Sequence, residues 1–471
     1  MWRHLATFAT HTAQTFPALQ SLHARGELPK DTTVIGYART KMEQADFHAK
    51  ISGSMRGSEE EKQNFLKLCT YVSGQYDEDE SFQRLAQYIE KIEKETGTST
   101  VNRVFYMALP PNVFTSVSTH LRRNCYSEHG HNRVIVEKPF GKDLESCQKM
   151  ISEMKKIWSE QETFRIDHYL GKEMVKNLLR FRLSNPVIEN VLNHNFVENV
   201  QITFKEPFGT EGRGGYFDEF GIIRDIQQNH LCQVFSLLAM DAPQELSAES
   251  IRTRKVEVLK QVRPLDEKEV VIGQYSAANG KPGYKEDDTV PKDSNTPTFA
   301  AFVLRVDNDR WKDVPFVLQA GKALDEGVVL IRVTFKNTAQ KLFPDAKANE
   351  LIIRIQPNEG VFYHLNNKLP GVAPDLVPAD LSLVTKEAFK GAAIPEAYES
   401  LILDAVRGDQ SNFVRDDELF VSWGLLTPLL HHIDAGKCPC VTYPYGSKGP
   451  AEMKDFYKKL GIIDGDMAEH N

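Results

Sequence analysis

The stretch Phe164-Arg165-Ile166-Asp167-His168-Tyr169-Leu170-Gly171-Lys172-Glu173 places an acid, an imidazole, a phenol and an ammonium within six positions. An apolar run before it, residues 163–166, predicts the end of a strand, and apolar residues after it recur at helical spacing. The polar cluster therefore lies at a strand-to-helix junction, where ligands of α/β folds usually bind. A helix N-terminus favours an anion, and His168, Tyr169 and Lys172 can each donate a hydrogen bond to a phosphate. The alternative is a polar helix cap with solvated charges.

Apolar runs before this stretch alternate with helical patterns. We predict strands at residues 32–38, 104–109 and 134–137, and helical segments over about 41–73 and 82–92. Strands that alternate with helices imply βαβ units and a Rossmann-like, doubly wound parallel sheet.

After residue 172 the pattern changes to an alternation of apolar and polar residues. It covers residues 200–205 and 331–336. Residues 302–306 and 351–355 are also strand-like, and together these runs predict a large, mainly antiparallel sheet. Helices are expected near 222–240 and 395–406. We place the domain boundary near residue 167, which divides the chain into an α/β domain, 1–167, and a β+α domain, 168–471.

Composition excludes several classes of protein. The chain has 471 residues, of which 41% are hydrophobic, and this is enough for a large core. A net charge of −8 without a long basic run argues against a nucleic-acid partner. Six unevenly spaced cysteines indicate reduced thiols and a cytoplasmic protein. We expect no membrane span, because no apolar run is long enough. We also expect no metal site, because the Cys and His residues lack the spacing of a zinc site.

Three further segments follow a recognisable order: residues 137–141 (EKPFG), 211–218 (EGRGGYFD) and 221–231 (GIIRDIQQNHL). Together with RIDHYLGKE, they resemble the glucose-6-phosphate dehydrogenase family, and the likeness runs from about residue 15 to about residue 460. The resemblance implies oxidation of D-glucose 6-phosphate at C1 to 6-phospho-D-glucono-1,5-lactone with hydride transfer to NADP, the first step of the pentose phosphate pathway. It also implies a homodimer or tetramer assembled through the β-sheet domain.

His230 lies on an apolar helical face, where a hydrogen-bonded core histidine is the ordinary interpretation. The resemblance instead makes His230 the general base and Asp167 the residue that orients it. Removal of the C1 hydroxyl proton suits a neutral imidazole, whose pKa lies near neutrality. An adjacent carboxylate would stabilise the imidazolium that forms.

Other residues receive roles from the resemblance alone. The residues that it places around the sugar are Lys138, Glu206, Asp225, Lys322 and Gln356. Lys138 also marks the place where substrate and coenzyme meet, and its bond to Pro139 is expected to be cis. The alternatives are exposure to solvent for each lysine and a surface ion pair for each acid.

Arg39 follows the strand at 32–38, in the position that faces the adenosine ribose in dinucleotide-binding folds. An acid there would favour NAD, whereas an arginine suits the 2′-phosphate of NADP. NADP is therefore the expected coenzyme, bound by Arg39 and Lys138.

The N-terminus departs from the family. Leu5, Phe8 and Ala9 stand where the family has Gly, Gly and Asp in a turn that approaches the coenzyme pyrophosphate. We therefore predict a truncated or replaced N-terminus, a missing first strand and weak coenzyme binding. The alternative function is a catalytically silent, sugar-phosphate-binding paralogue or regulatory subunit. A third option is a chain that folds poorly because its sheet lacks a central strand.

Some family members bind a second, structural NADP. Gly327 and Val328 replace an Arg and a Lys of that site, and Phe362 and His364 replace a Tyr and a Lys. Because polyphosphates are bound by cations, we expect this chain to lack the second site.

Overall fold

The computed structural model describes residues 2–9, 12–96, 101–372 and 374–462, and the side chains of residues 14–95, 101–372 and 374–462. The chain divides into two compact units. The first comprises Met1–Glu173, Pro243–Thr253 and Ile394–Phe420, and the second comprises Met174–Ala242, Arg254–Ala393 and Val421–Asn471. Each unit is therefore built from segments that are separated in the sequence.

The first unit contains a six-stranded parallel sheet with the order β3-β2-β1-β4-β5-β6. Its strands are β1 (Trp2–Ala9), β2 (Thr33–Ala38), β3 (Cys69–Ser73), β4 (Asn102–Ala108), β5 (Asn132–Val136) and β6 (Thr163–Arg165). This is the strand order of the doubly wound dinucleotide-binding fold, as the alternating pattern predicts.

The prediction that the first strand is missing is wrong. Trp2–Ala9 lies in the middle of the sheet, and its backbone pairs in parallel with β2 and β4. Leu5 is opposite Val34 on one side and Val104 on the other. Backbone groups hold such a strand at both edges, and every residue except proline can supply them. The strand therefore forms without the sequence that the family uses there.

Placing Leu5, Phe8 and Ala9 in the coenzyme turn is also wrong, because all three lie in β1. The connection from β1 to the next helix falls on Thr10 and His11, which are outside the described residues. With β1 in place, the central strand whose loss suggested a poorly folding chain is present.

The second unit contains a nine-stranded sheet with the order β14-β13-β12-β11-β7-β10-β9-β8-β15. Its strands are β7 (Val197–Lys205), β8 (Val270–Ser276), β9 (Phe299–Arg305), β10 (Pro315–Gly321), β11 (Val328–Phe335), β12 (Glu350–Gln356), β13 (Gly360–Lys368), β14 (Leu376–Val384) and β15 (Cys440–Pro444). Neighbours are antiparallel except for the pairs β7–β10 and β8–β15, which are parallel. The predicted mixture of α/β and α+β architecture is confirmed.

The α-helices are α1 (Thr12–Ala24), α2 (Gln44–Ser52), α3 (Glu59–Leu66), α4 (Asp79–Thr96), α5 (Phe114–Asn124), α6 (Leu144–Lys155), α7 (Glu173–Leu183), α8 (Pro186–Glu189), α9 (Gly214–Asp218), α10 (Cys232–Ala239), α11 (Ala248–Lys260), α12 (Thr385–Ala388), α13 (Ala397–Arg407), α14 (Asp416–Asp434) and α15 (Met453–Lys459). A π-helical stretch, Ile223–Leu231, leads directly into α10. The helical segment expected to reach residue 73 ends earlier, because Cys69–Ser73 pairs with β2 as a strand.

Helix α13 explains why a late segment belongs to the first unit. Leu401, Ile402 and Ala405 of α13 are buried in one hydrophobic cluster with Phe16 of α1 and Tyr106 of β4. Burial of this apolar face fixes the segment to the first sheet. None of the helices in the described ranges is both long enough and apolar enough to cross a membrane.

Candidate active site

The motif RIDHYLGKE forms a tight turn at the end of β6 in the first unit. Residues His168–Gly171 make a single 3₁₀ turn, and α7 begins at Glu173. The Asp167 carboxylate caps this turn, because its Oδ1 accepts a hydrogen bond from the backbone N–H of Tyr169 at 3.0 Å. Asp167 is only 2% exposed. The predicted strand-to-helix junction is confirmed, and it brings His168, Tyr169 and Lys172 together locally.

The side chains of this turn pack on one another and on α13. The Lys172 Nζ lies 5.1 Å from the centroid of the Tyr169 ring. The His168 ring is nearly parallel to the ring of Tyr398, with centroids 6.2 Å apart and an interplanar angle of 10°. A Cβ on Gly171 would lie 2.4 Å from the carbonyl oxygen of Ala397. Only glycine therefore allows the start of α13 to come this close to the turn.

Glu137, directly after β5, connects this region to the sheet. Its carboxylate accepts hydrogen bonds from the phenols of Tyr106 and Tyr398. Burial raises the pKa of the Glu137 carboxyl, although the Tyr106 hydrogen bond and the charge of Lys138 oppose the rise. The Lys138–Pro139 peptide is cis, as expected. Lys138 is therefore an ammonium beside a partly buried acid, at the carboxyl end of a parallel strand.

Arg39 is exposed and follows β2 directly. Its guanidinium carbon lies 5.2 Å from the centroid of the Tyr76 ring. The carboxyl ends of β1, β2 and β5 lie along one edge of the parallel sheet, where dinucleotides bind in this fold. Arg39 and Lys138 thus supply two cations at that edge, and these suit a coenzyme that carries several phosphates.

In the second unit, Glu206 and Lys322 meet at the ends of two adjacent parallel strands. Glu206 follows β7, Lys322 follows β10, and Lys205 is opposite Gly321 in the register of the pair. The Lys322 Nζ lies 2.5 Å from Oε2 of Glu206. The backbone holds the same corner, because the Glu206 N–H donates to the Gly321 oxygen at 2.9 Å.

His230 and Asp225 lie on the π-helical stretch of the second unit. His230 is 1% exposed and Asp225 is half-buried. Gln227, on the same stretch, donates to the carbonyl oxygens of Ala300 and Leu318 at 3.1 and 3.0 Å. This anchors the helix to β9 and β10 and so fixes the position of both titratable side chains.

Gln356 ends β12 and lies opposite Val329 of β11, which in turn lies opposite Phe204 of β7. It is therefore two strands away from the end of β7 that leads to Glu206.

Residues in the region where some family members bind a second NADP contact one another in this chain. The Arg332 guanidinium lies 2.6 Å from Oε2 of Glu350, and Nδ1 of His364 lies 3.2 Å from the same oxygen. The guanidinium carbon of Arg354 lies 4.8 Å from the centroid of the Phe362 ring. The cation of Arg332 is thus already paired within the protein. Loss of the second site stays a prediction.

Two residues near the turn formed by residues 168–172, Glu137 and Tyr398, receive no role from the sequence. Glu137 lies within the motif EKPFG, so its position next to Lys138 was a usable signal. Tyr398 lies more than two hundred residues after His168, and no local pattern links them. Only packing of α13 on the first sheet places the two rings together.

Comparisons with known proteins agree along nearly the whole chain. The family model described as "Glucose-6-phosphate dehydrogenase, NAD binding domain" matches residues 10–177, and "Glucose-6-phosphate dehydrogenase, C-terminal domain" matches residues 179–463. The glucose-6-phosphate 1-dehydrogenases of Emericella nidulans and Aspergillus niger are each 52% identical over 463 residues, which is 97% of this chain and 90% of each relative.

Solved structures give the same result. A structure described as "Glucose-6-phosphate dehydrogenase in complex with its substrate glucose-6-phosphate" is 45% identical, has a TM-score of 0.95 and is matched over 98% of both chains. The glucose-6-phosphate 1-dehydrogenase of Mycobacterium avium has a TM-score of 0.83 at 28% identity, again over 98% of both chains. The chain belongs to the glucose-6-phosphate dehydrogenase family.

Proposed function

We propose that this chain oxidises D-glucose 6-phosphate at C1 to 6-phospho-D-glucono-1,5-lactone and transfers the hydride to NADP. One observation carries the proposal: the turn with His168, Tyr169 and Lys172 occurs in a chain matched over 98% of its length to a structure described as a complex with this substrate. A phosphate needs several converging donors, and these three side chains offer an imidazole, a phenol and an ammonium.

The phosphate is bound by the turn at the end of β6. Lys172 supplies a positive charge, while His168 and Tyr169 supply directional hydrogen bonds. The stack of His168 on Tyr398 supports this assignment, because it fixes the plane of the imidazole before the ligand arrives.

The sugar hydroxyls are bound by residues of the second unit. Carboxylates accept from hydroxyl groups, which suits Glu206 and Asp225. The Lys322 ammonium and the Gln356 amide act as donors. The Glu206–Lys322 ion pair supports this role, because it holds an acceptor and a donor 2.5 Å apart at one corner of the sheet.

His230 removes the proton of the C1 hydroxyl, and Asp167 orients and stabilises its imidazolium. Two features support these roles: both side chains are almost fully buried, and both are carried by rigid segments of their own unit. NADP, when bound, accepts the hydride. In this chain Arg39 would hold its 2′-phosphate, and Lys138 would lie where the substrate and the nicotinamide meet.

We also propose that residues 1–167 form the coenzyme half and residues 168–471 the substrate half of a cytoplasmic homodimer or tetramer. Within the described residues none of the six cysteines is disulfide-bonded, which fits a reducing compartment.

Assembly through the large sheet is supported by its edge strand β14, on which Leu381 and Leu383 are 62% and 48% exposed. Multi-angle light scattering of the chain and of Leu381→Asp tests this: the variant should dissociate.

The activity is tested by following NADPH formation with glucose 6-phosphate, with glucose and with fructose 6-phosphate. We expect turnover with glucose 6-phosphate at a kcat/KM several orders of magnitude above that with glucose, because the phosphate turn contributes only to the phosphorylated sugar. Tight calorimetric binding of glucose 6-phosphate without turnover would contradict the proposal and identify a silent sugar-phosphate-binding protein.

A further inference from the structure

The segment around Arg39 is held by tyrosines from the neighbouring strand and from the turn after it. Strands β2 and β3 are parallel, with Ala38 opposite Ser73, so the residues that follow both strands meet at one edge. The N–H of Gly74 donates to the Ala38 oxygen at 3.0 Å. The phenol of Tyr71 donates to the Thr40 oxygen at 2.5 Å. The backbone on both sides of Arg39 is therefore fixed.

The Arg39 side chain itself lies over the ring of Tyr76. The guanidinium carbon is 5.2 Å from the ring centroid, within the range of a cation–π contact. Tyr76 is 6% exposed, whereas Arg39 is exposed. The N–H donors of a guanidinium lie in its plane, so a face held against a ring leaves those donors usable for an oxyanion.

Tyr76 is fixed independently of any ligand. The phenol of Tyr37 donates to the Gln75 oxygen at 2.8 Å, and the rings of Tyr37 and Tyr76 are 6.2 Å apart. A Cβ on Gly74 would lie 2.3 Å from the Tyr37 hydroxyl, so this close approach of the chain requires glycine. Burial raises the pKa of the Tyr76 phenol, although Arg39 opposes the rise. Tyr76 is therefore a rigid, neutral ring.

We propose that Tyr76 is a positioning residue that sets coenzyme specificity: it holds the Arg39 guanidinium where the 2′-phosphate of NADP binds. This inference rests on the proposed function, which assigns Arg39 to that phosphate. An exposed arginine has several rotatable bonds, and ordering them on binding costs affinity. A ring that orders them beforehand strengthens NADP binding and leaves NAD, which has no 2′-phosphate, unaffected.

The test compares the parent with Tyr76→Phe, Tyr76→Leu, Arg39→Ala and the double variant Tyr76→Leu/Arg39→Ala. The kcat/KM values for NADP and NAD are measured at saturating glucose 6-phosphate. Tyr76→Phe keeps the aromatic face and should keep the NADP/NAD ratio within about twofold. Tyr76→Leu should lower the ratio about tenfold, through the KM for NADP rather than kcat, as expected for a lost cation–π contact. In the Arg39→Ala background, Tyr76→Leu should have no further effect on the ratio.

Calorimetric binding of 2′-phospho-AMP and AMP gives a second measurement that needs no turnover. Tyr76→Leu should weaken the binding of 2′-phospho-AMP about tenfold and should leave the binding of AMP unchanged. Because Tyr76 is buried, its replacement can leave a cavity. Tyr76→Met, a bulky and flexible side chain without an aromatic face, therefore serves as a second non-aromatic variant. Thermal unfolding confirms that each variant is folded.

Two results would overturn the inference alone: equal losses with both coenzymes, or an unchanged ratio in Tyr76→Leu when Arg39→Ala lowers it. An unchanged ratio in Arg39→Ala would overturn the assignment of Arg39 to the 2′-phosphate, and this inference with it. The Arg39→Ala variant thus separates a failure of the inference from a failure of the coenzyme assignment.

Discussion

The Nζ of Lys322 lies 2.5 Å from Oε2 of Glu206, although 116 positions separate the two residues. Each follows one of two adjacent parallel strands, β10 and β7, whose carboxyl ends lie side by side. Their side chains are 11% and 19% exposed, so each charge depends on the other for compensation. A sugar hydroxyl that reaches this corner meets a donor and an acceptor at once.

Replacing Lys322 with alanine should weaken binding of both glucose 6-phosphate and glucose. A hydrogen bond to a charged group is worth about 1.5–3 kcal/mol, so we expect a loss of roughly 10- to 150-fold for each sugar. Calorimetric titration of the two sugars measures it. Lys312→Ala, which removes an exposed lysine of the same unit, is the control and should have no effect. Equal affinities in the parent and in Lys322→Ala would remove Lys322 from the sugar site.

Replacing Lys172 with alanine should discriminate between the two sugars. Because the ammonium is assigned to the phosphate, glucose 6-phosphate should lose about 1.5–3 kcal/mol of binding free energy while glucose loses almost none. Lys149→Ala, on the exposed side of α6, is the matched control. If both sugars lost affinity equally, Lys172 would support the turn rather than bind the phosphate.

Replacing His230 with asparagine should lower kcat by about 10²- to 10⁴-fold, the usual contribution of a general base. Binding of glucose 6-phosphate should change little, because the phosphate and most hydroxyls are held elsewhere. Stopped-flow and steady-state rates with NADP, together with calorimetric binding of the sugar phosphate, measure the two effects separately. A variant with full kcat would show that another group takes the proton.

Glu137 should make stability depend on pH. Its pKa is raised in the folded protein, so the folded state binds the proton more tightly than the unfolded state. The stabilising effect of that proton is present below the ordinary pKa of 4.5 and is lost as the pH rises through the folded value. Glu137→Gln removes the titration. Urea unfolding between pH 4 and pH 7 should therefore show that the free energy of unfolding falls less in the variant than in the parent as the pH rises. Parallel plots of this free energy against pH would contradict the raised pKa.

Replacing Leu5 with proline should destabilise the first unit strongly. Leu5 lies in β1 between two strands, and proline removes a backbone donor and restricts the chain, which is tolerated only at sheet edges. We expect a loss of about 3 kcal/mol or more, as for proline within a helix. Leu5→Ile keeps the N–H group and strand preference and is the control. Identical unfolding curves for both variants would show that β1 contributes little.

Much of the first sheet and of the phosphate turn could be predicted from the sequence. The continuous apolar runs at β2, β4 and β5 indicate buried strands, since a strand that is covered on both faces is apolar along its length. His168, Tyr169 and Lys172 lie within five positions, so a single turn brings them together whatever the remainder of the fold does. Their residue types then indicate a phosphate-binding site, and the family motifs indicate the substrate and the reaction.

Contacts between distant segments were decided only by the tertiary structure. The sequence of residues 2–9 lacks the family pattern and predicts no strand there, yet backbone pairing with β2 and β4 places them at the centre of the sheet. Tyr398 reaches His168 only because α13 buries an apolar face in the first unit. Glu206 reaches Lys322 only because β7 and β10 are parallel neighbours. Residue spacing along the chain shows which face of a helix or strand is apolar. Which strands and helices become neighbours depends on the free energy of the whole packed core.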